Sequence, residues 1–160
     1  MRLLPLVSPL ALLAMSACTP TSVEQVMVPG LNVSYEATFD SMLPREGHYT
    51  RQTSQVVMVP GEGFEFTLPD LPDAAFDLGQ IGTGQRLDLH VNLTAAPLES
   101  GEIRYAVRLT TQPVGGGDAS LLAEPSLVVA DGETATVHLG QDGGEFHTSF
   151  TLDLTGARVQ

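Results

Sequence analysis

Arg86-Leu87-Asp88-Leu89-His90-Val91-Asn92-Leu93-Thr94 places an apolar side chain at every second position from Leu87 onward. Successive side chains of an extended strand point to opposite faces, so this run puts leucine and valine on one face and polar groups on the other. Helical spacing is not met. Glu102-Ile103-Arg104-Tyr105-Ala106-Val107-Arg108-Leu109-Thr110 repeats the scheme, with Ala106 as its one soft position. The connection between the two runs contains Pro97 and Gly101, which predicts antiparallel neighbours joined by a tight reversal.

Outward from this pair, further strands are expected over 31–39, 49–59, 64–68, 126–129, 134–139 and 146–154. Pro60-Gly61, Gly115-Gly116-Gly117, Asp131-Gly132 and Asp142-Gly143-Gly144 punctuate them. Roughly seven or eight short strands at this spacing predict an all-β domain, an antiparallel β-sandwich or a small barrel-like fold. Two short stretches are candidate helical turns, 72–76 with Asp73 as its cap and 118–122. Gln25-Val26-Met27-Val28-Pro29-Gly30 is echoed by Gln55-Val56-Val57-Met58-Val59-Pro60-Gly61. The echo stops at the glycine, so it reads as two similar strand endings rather than a structural repeat.

Composition bounds the function. Apolar residues make up 42% of the chain, enough for a packed core, while 16 Gly and 11 Pro imply many turns. The formal charge is -12, and the basic residues are all arginine. Nucleic acid recognition needs a basic footprint to neutralise phosphates, so a nucleic acid partner is excluded as an expectation. Acidity also disfavours an electrostatic hold on anionic lipid headgroups. It is compatible with a solvated surface or with a basic partner.

Cys18 is the only cysteine, and it follows Met15-Ser16-Ala17. Met1 and Arg2 form a short positive start, residues 3–15 an apolar stretch, and small residues precede the cysteine. The apolar stretch is about 13 residues and carries Pro5 and Pro9, against the roughly 20 that a membrane-spanning helix needs. The pattern resembles the lipobox of bacterial lipoproteins, with Met15 where that family usually has leucine. The resemblance implies a signal peptide over 1–17, cleavage before Cys18, acyl chains on Cys18 and a short tether over 18–22. A single β-domain is then expected over 23–160. At about 0.8 kcal/mol per buried methylene, two or more acyl chains hold a protein on a membrane without help from charge. Thr19 stands where an aspartate often retains such proteins at the inner membrane, so the resemblance implies the outer membrane of a Gram-negative envelope.

Residues 122–140, Leu122-Ala123-Glu124-Pro125-Ser126-Leu127-Val128-Val129-Ala130-Asp131-Gly132-Glu133-Thr134-Ala135-Thr136-Val137-His138-Leu139-Gly140, carry a proline entering an apolar strand. An Asp-Gly turn and a second alternating strand follow. The segment resembles a hairpin of the bacterial secretins, the outer-membrane gates of secretion and pilus systems. The resemblance implies a related β-module or a role near envelope machinery, not the pore function. A generic hairpin with the same turn chemistry shares much of the pattern.

The search for chemistry yields no catalytic residue. His48, His90, His138 and His147 lack metal-ligand spacing, and the last three fall at polar-phase positions that face solvent. His138 and His147 could meet only if their strands are adjacent. Asp70, Asp73 and Asp77 lack the alternation of a calcium loop and read as turn and cap residues, as does Asp142-Gly143-Gly144-Glu145. Ser120 and Ser126 have no nucleophile context, and Gly115-Gly116-Gly117 lacks the lysine and helix of a phosphate cradle. Tyr35, Tyr49 and Tyr105 are the tyrosines available to a carbohydrate platform, in a chain without tryptophan. No metal, cofactor or enzymatic activity is expected. The reading is a lipid-anchored β-domain with a structural or protein-interaction role and an envelope protein partner; a small-molecule or glycan binding lipoprotein is the alternative.

Cys18→Ser is expected to abolish incorporation of labelled fatty acid and to release the protein from the membrane fraction. Membrane retention of the serine variant, with no label on the wild type, would contradict the lipobox reading.

Overall fold

The computed structural model describes residues 30–43, 46–73, 76, 84–142 and 146–159. Cys18, Asp77 and residues 143–145 of the Asp142-Gly143-Gly144-Glu145 turn lie outside these, as does the first copy of the echo apart from Gly30. The strands are β1 (Leu31–Met42), β2 (Gly47–Met58), β3 (Gly63–Pro72), β4 (Arg86–Pro97), β5 (Glu102–Pro113), β6 (Ser120–Ala123), β7 (Ser126–Ala130), β8 (Thr134–Asp142) and β9 (His147–Arg158). All pairings are antiparallel. One sheet has the order β2-β1-β9-β8; in the other β3-β4-β5 is completed by β6 and β7, which share the far side of β5. The two sheets stay separate among the described residues, so the all-β prediction holds and the sandwich, not a closed barrel, is the outcome.

The alternation in β4 and β5 builds half of the core. Leu89, Val91, Leu93 and Ala95 are buried together with Ile103, Tyr105, Val107 and Leu109, while Arg104 and Arg108 are exposed. Leu93 stands opposite Val107, and Val91 opposite Leu109. The hairpin turns at residues 98–101, where Gly101 adopts a φ of 91° that a side chain would disfavour. The facing half comes from β1 and β9, which bury Val33, Tyr35, Ala37 and Phe39 with Phe150, Leu152 and Leu154.

Tyr105 spans the two layers. Its hydroxyl reaches from β5 to β9, where a Cβ added to Gly156 would collide with it. The ring is buried and the hydroxyl has no hydrogen-bond partner among the described residues. Burial, with the negative charge of Asp131 added, pushes its pKa up to about 12.

Arginines tie the sheets at both ends. Arg86, at the start of β4, donates to Glu46 beside the β1–β2 turn at 2.9 Å and to Asp70 at 3.2 Å. Arg158, at the end of β9, donates to the Leu98 carbonyl of the β4–β5 hairpin at 2.7 Å. Both are solvent-accessible contacts, so they align the layers more than they stabilise them.

Two expectations are corrected. Residues 118–122 are not helical; they lead into and form most of β6, whose register with β5 shifts at Leu109–Thr110. Residues 126–139 are not a hairpin. Asp131-Gly132 does form a tight turn, with Gly132 at φ 83° and the Glu133 amide donating to the Ala130 carbonyl. Yet β7 pairs with β5 and β8 with β9, so the turn carries the chain from one sheet to the other. At the described ends of 72–76, Pro72 closes β3 and the Phe76 amide donates to the Asp73 carbonyl, as one turn would have it; residues 74 and 75 lie outside the described residues.

Leu89→Asp or Val107→Asp is expected to cost roughly 3 kcal/mol or more through an unpaired buried charge. Asp88→Asn and Arg104→Gln should stay within about 0.5 kcal/mol in chemical denaturation. Gly156→Ala should cost about 1–3 kcal/mol by overpacking, most of it recovered when Tyr105→Phe is added. The wild type should also lose stability as pH rises from about 10 to 12, because the unfolded phenol ionises first. Tyr105→Phe should remove that component of an alkaline denaturation curve.

Candidate functional site

The histidines do not converge. His138, on β8, faces outward with Nδ1 3.1 Å from Thr151 Oγ1. His147, at the start of β9, sits with Nε2 3.5 Å from Asp40 Oδ2. Their strands are adjacent, but His138 stands opposite Thr151 and His147 opposite Asp142. Four residues of strand therefore separate them, about 13 Å, too far for one metal ion. His90 lies on the outer face of the other sheet, 3.0 Å from Thr67 Oγ1 and 3.3 Å from Glu65 Oε1. His48 is on the inner phase of β2, its ring edge-on to Phe39 at 5.9 Å. Among the described residues no group of three or more His, Cys, Asp and Glu is placed to hold a metal.

The acidic residues of 70–77 also serve local structure where they are described. Asp70 forms the bulge in β3 between Leu68 and Leu71, at a φ of 59°. Its amide donates to Asp88 Oδ1 at 3.0 Å and its carboxylate receives Arg86. Asp73 donates its amide to the Gln85 carbonyl. Ser120 and Ser126 are exposed on β6 and β7. Two of the three tyrosines are withdrawn into the core: Tyr105 as above, and Tyr35 stacked on Phe66 at 4.3 Å. Tyr49 remains exposed on β2.

The outer face of the β2-β1-β9-β8 sheet is hydroxyl-rich. Ser34, Thr53, Thr134 and Thr155 line a shallow concavity of about 500 Å³ with Glu36 and Asp153. Glu36 and Asp153 are cross-strand neighbours, an arrangement of like charges that disfavours the pair. Each is answered locally, Glu36 by Arg51 at 2.6 Å and Asp153 by the Thr136 hydroxyl at 2.5 Å. The carboxylates are thus engaged within the sheet.

The distinctive feature is an edge. β2 pairs with β1 over its whole length, from Gly47 to Met58, and is the outermost strand of its sheet. Edge strands present unpaired backbone donors and acceptors, and proteins commonly blunt them with proline, bulges, charge or interruption. The other edges carry such features: β3 has Pro69, the Asp70 bulge and Pro72; β6 and β7 are split by Glu124-Pro125; β8 is shorter and ends at Gly140, Gln141 and Asp142. β2 has no proline and no acidic residue, and Arg51 is already matched by Glu36. Its inner-phase side chains His48, Thr50, Gln52 and Ser54 are polar and incompletely covered. Sequence reading found the strand but not its position, since alternation says nothing of which neighbour a strand lacks.

No family model matches the chain, and no curated protein sequence matches it. Among solved structures it is similar to the Salmonella SPI-1 type III secretion injectisome secretin InvG, residues 176 to the end, in the open gate state. The identity is 6% and the TM-score 0.30, over 82% of this chain and 60% of that one. The chain therefore spans less than two thirds of that fragment's length. Neither the sandwich architecture nor the choice of edge depends on the likeness.

Proposed function

We propose that this chain is a lipid-anchored envelope domain that works by contact, docking an extended segment of a partner protein along β2. The observation that carries the proposal is the unguarded length of β2 beside three edges that are shortened, bulged or interrupted. Strand addition supplies affinity through main-chain hydrogen bonds and specificity through alternate side chains. The net charge of -12 favours a segment bearing lysine or arginine, drawn in over long range, while the absence of acid on β2 leaves the backbone rail itself open. Anchoring at Cys18, as the lipobox resemblance implies, places the domain near the outer membrane. A tether over 18–22, five residues at roughly 3.3 Å each, reaches about 17 Å, so a co-anchored partner meets the edge at high local concentration.

A photo-crosslinking residue at Gln55 is expected to capture a discrete partner in cells, at a mapped extended segment, whereas the same residue at Asn92 should not. Thr53→Lys combined with Val57→Lys, at exposed positions on either side of the probe, should abolish capture from Gln55 while leaving thermal stability within a few degrees. Equal crosslinking from Asn92, or full capture by the double lysine variant, would refute the docking edge. A discrete partner lost only on Cys18→Ser would separate anchoring from docking.

A further inference from the structure

The inner phase of β2 consists of His48, Thr50, Gln52, Ser54, Val56 and Met58, the side chains on the face toward the other sheet. Met58 is buried and His48, Thr50, Gln52 and Val56 are half-buried, whereas Ser54 is exposed. Ser54 stands opposite Tyr35 on β1, whose ring stacks on Phe66 at 4.3 Å and lies 5.7 Å from Phe64. Both phenylalanines belong to β3, the edge strand of the other sheet on the same flank as β2. Phe66 is buried, but Phe64 is covered only in part. On either side of Ser54 the inner phase is filled by longer side chains. Gln52 Nε2 donates to the Tyr35 hydroxyl at 3.0 Å, and Val56 packs against the core. The smallest side chain of the phase thus stands in front of the aromatic cluster, at the seam between β2 and β3.

We infer that the segment docked along β2 carries a large apolar side chain, aromatic or of leucine size, on its inward phase at the level of Ser54, and that this side chain covers Phe64. The inference rests on the docking edge proposed above and names the partner's chemistry there. A strand added to β2 lies about 4.8 Å further out and continues its pleat, so a residue paired with Ser54 points to the same face as Ser54. Serine fills little of the space on its own side, and the incoming side chain meets the seam there. A charged group at that level would be set against Phe64 and Tyr35 at a desolvation cost. An apolar one removes the open part of Phe64 from water, which the main-chain hydrogen bonds of a docked strand cannot do. The occupant is therefore an extended segment whose basic residues bring it in and whose one inward apolar residue anchors it.

The test pans a phage-displayed pool of random dodecapeptides against the full chain. Enriched peptides are expected to share one large apolar position whose replacement by serine weakens binding by about tenfold, as for a single buried anchor. Ser54→Phe, at an exposed position, covers Phe64 from within the chain and should shrink that difference to about twofold or less, while Ser54→Ala should leave it in place. Enriched peptides that tolerate serine at every apolar position, or whose apolar residue keeps its full effect on Ser54→Phe, would overturn the seam contact. Thr53→Lys combined with Val57→Lys separates this from the parent reading. Binding lost on the double lysine variant but indifferent to Ser54→Phe removes the apolar anchor alone; binding that survives the double lysine variant, or a pool with no enriched sequence, removes the docking edge and the anchor together.

Discussion

Everything in this domain depends on two apolar faces having only each other to cover them. β4 and β5 present Leu89, Val91, Leu93, Ile103, Tyr105 and Val107 on one side, and β1 and β9 present Val33, Phe39, Phe150, Leu152 and Leu154. With one cysteine in the chain no intramolecular disulfide can form. Burial of these faces is the main source of favourable free energy. Tyr105 over Gly156 sets how closely the layers approach at one point: the ring adds a large apolar area, and the glycine is what leaves room for it. The arginine contacts at either end then keep the layers in line without carrying much energy.

Closing a core between two open sheets leaves edges, and the edges differ in kind. β7 crosses into the second sheet through Asp131-Gly132, and the Gly132 amide bonds the Gly156 carbonyl of β9. This corner joins the layers on the flank whose edge Glu124-Pro125 already splits into β6 and β7. On the other flank the β3 ladder is interrupted by the Asp70 bulge, whereas β2 keeps unbroken register with β1. A long uninterrupted edge is an aggregation hazard unless something occupies it, and that asymmetry is the physical ground for proposing contact at β2.

Much of the fold was legible because period-two alternation is a local property. β4 and β5, their antiparallel pairing and the outward phase of His90, His138 and His147 could be read from Arg86 to Thr110 and from the strands around His138 and His147. What could not be read is non-local. Asp131-Gly132 has the chemistry of a two-residue hairpin turn, yet its flanking strands found partners in β5 and β9 rather than in each other. Residues 118–122 looked like a turn of helix because nothing nearby discloses that the flank of β5 is free to bind Leu121 and Ala123. The separation of His138 from His147 likewise follows from register, which is set by the whole β8–β9 ladder. Ser41 and Thr148, whose buried hydroxyls have no hydrogen-bond partner among the described residues, gave no sequence signal, because serine and threonine at strand ends are ordinary.

Three hydroxyls are buried without partners on the inner faces, and their surroundings separate them. The Tyr105 hydroxyl lies against Gly156, and its cost is offset by the burial of the ring that carries it. Ser41 and Thr148 bring almost no apolar area of their own, so nothing comparable offsets their desolvation. Thr148 also lines a small cavity with Phe39, Phe76 and Phe150. Replacing both with valine would give a fold with the same alternation and fewer unmet polar groups. The pair marks the end of the apolar interior between β1 and β9, where the inner phase passes from Phe39 and Phe150 to Ser41 and Thr148, while the same chemistry at Tyr105 is understood through packing against Gly156.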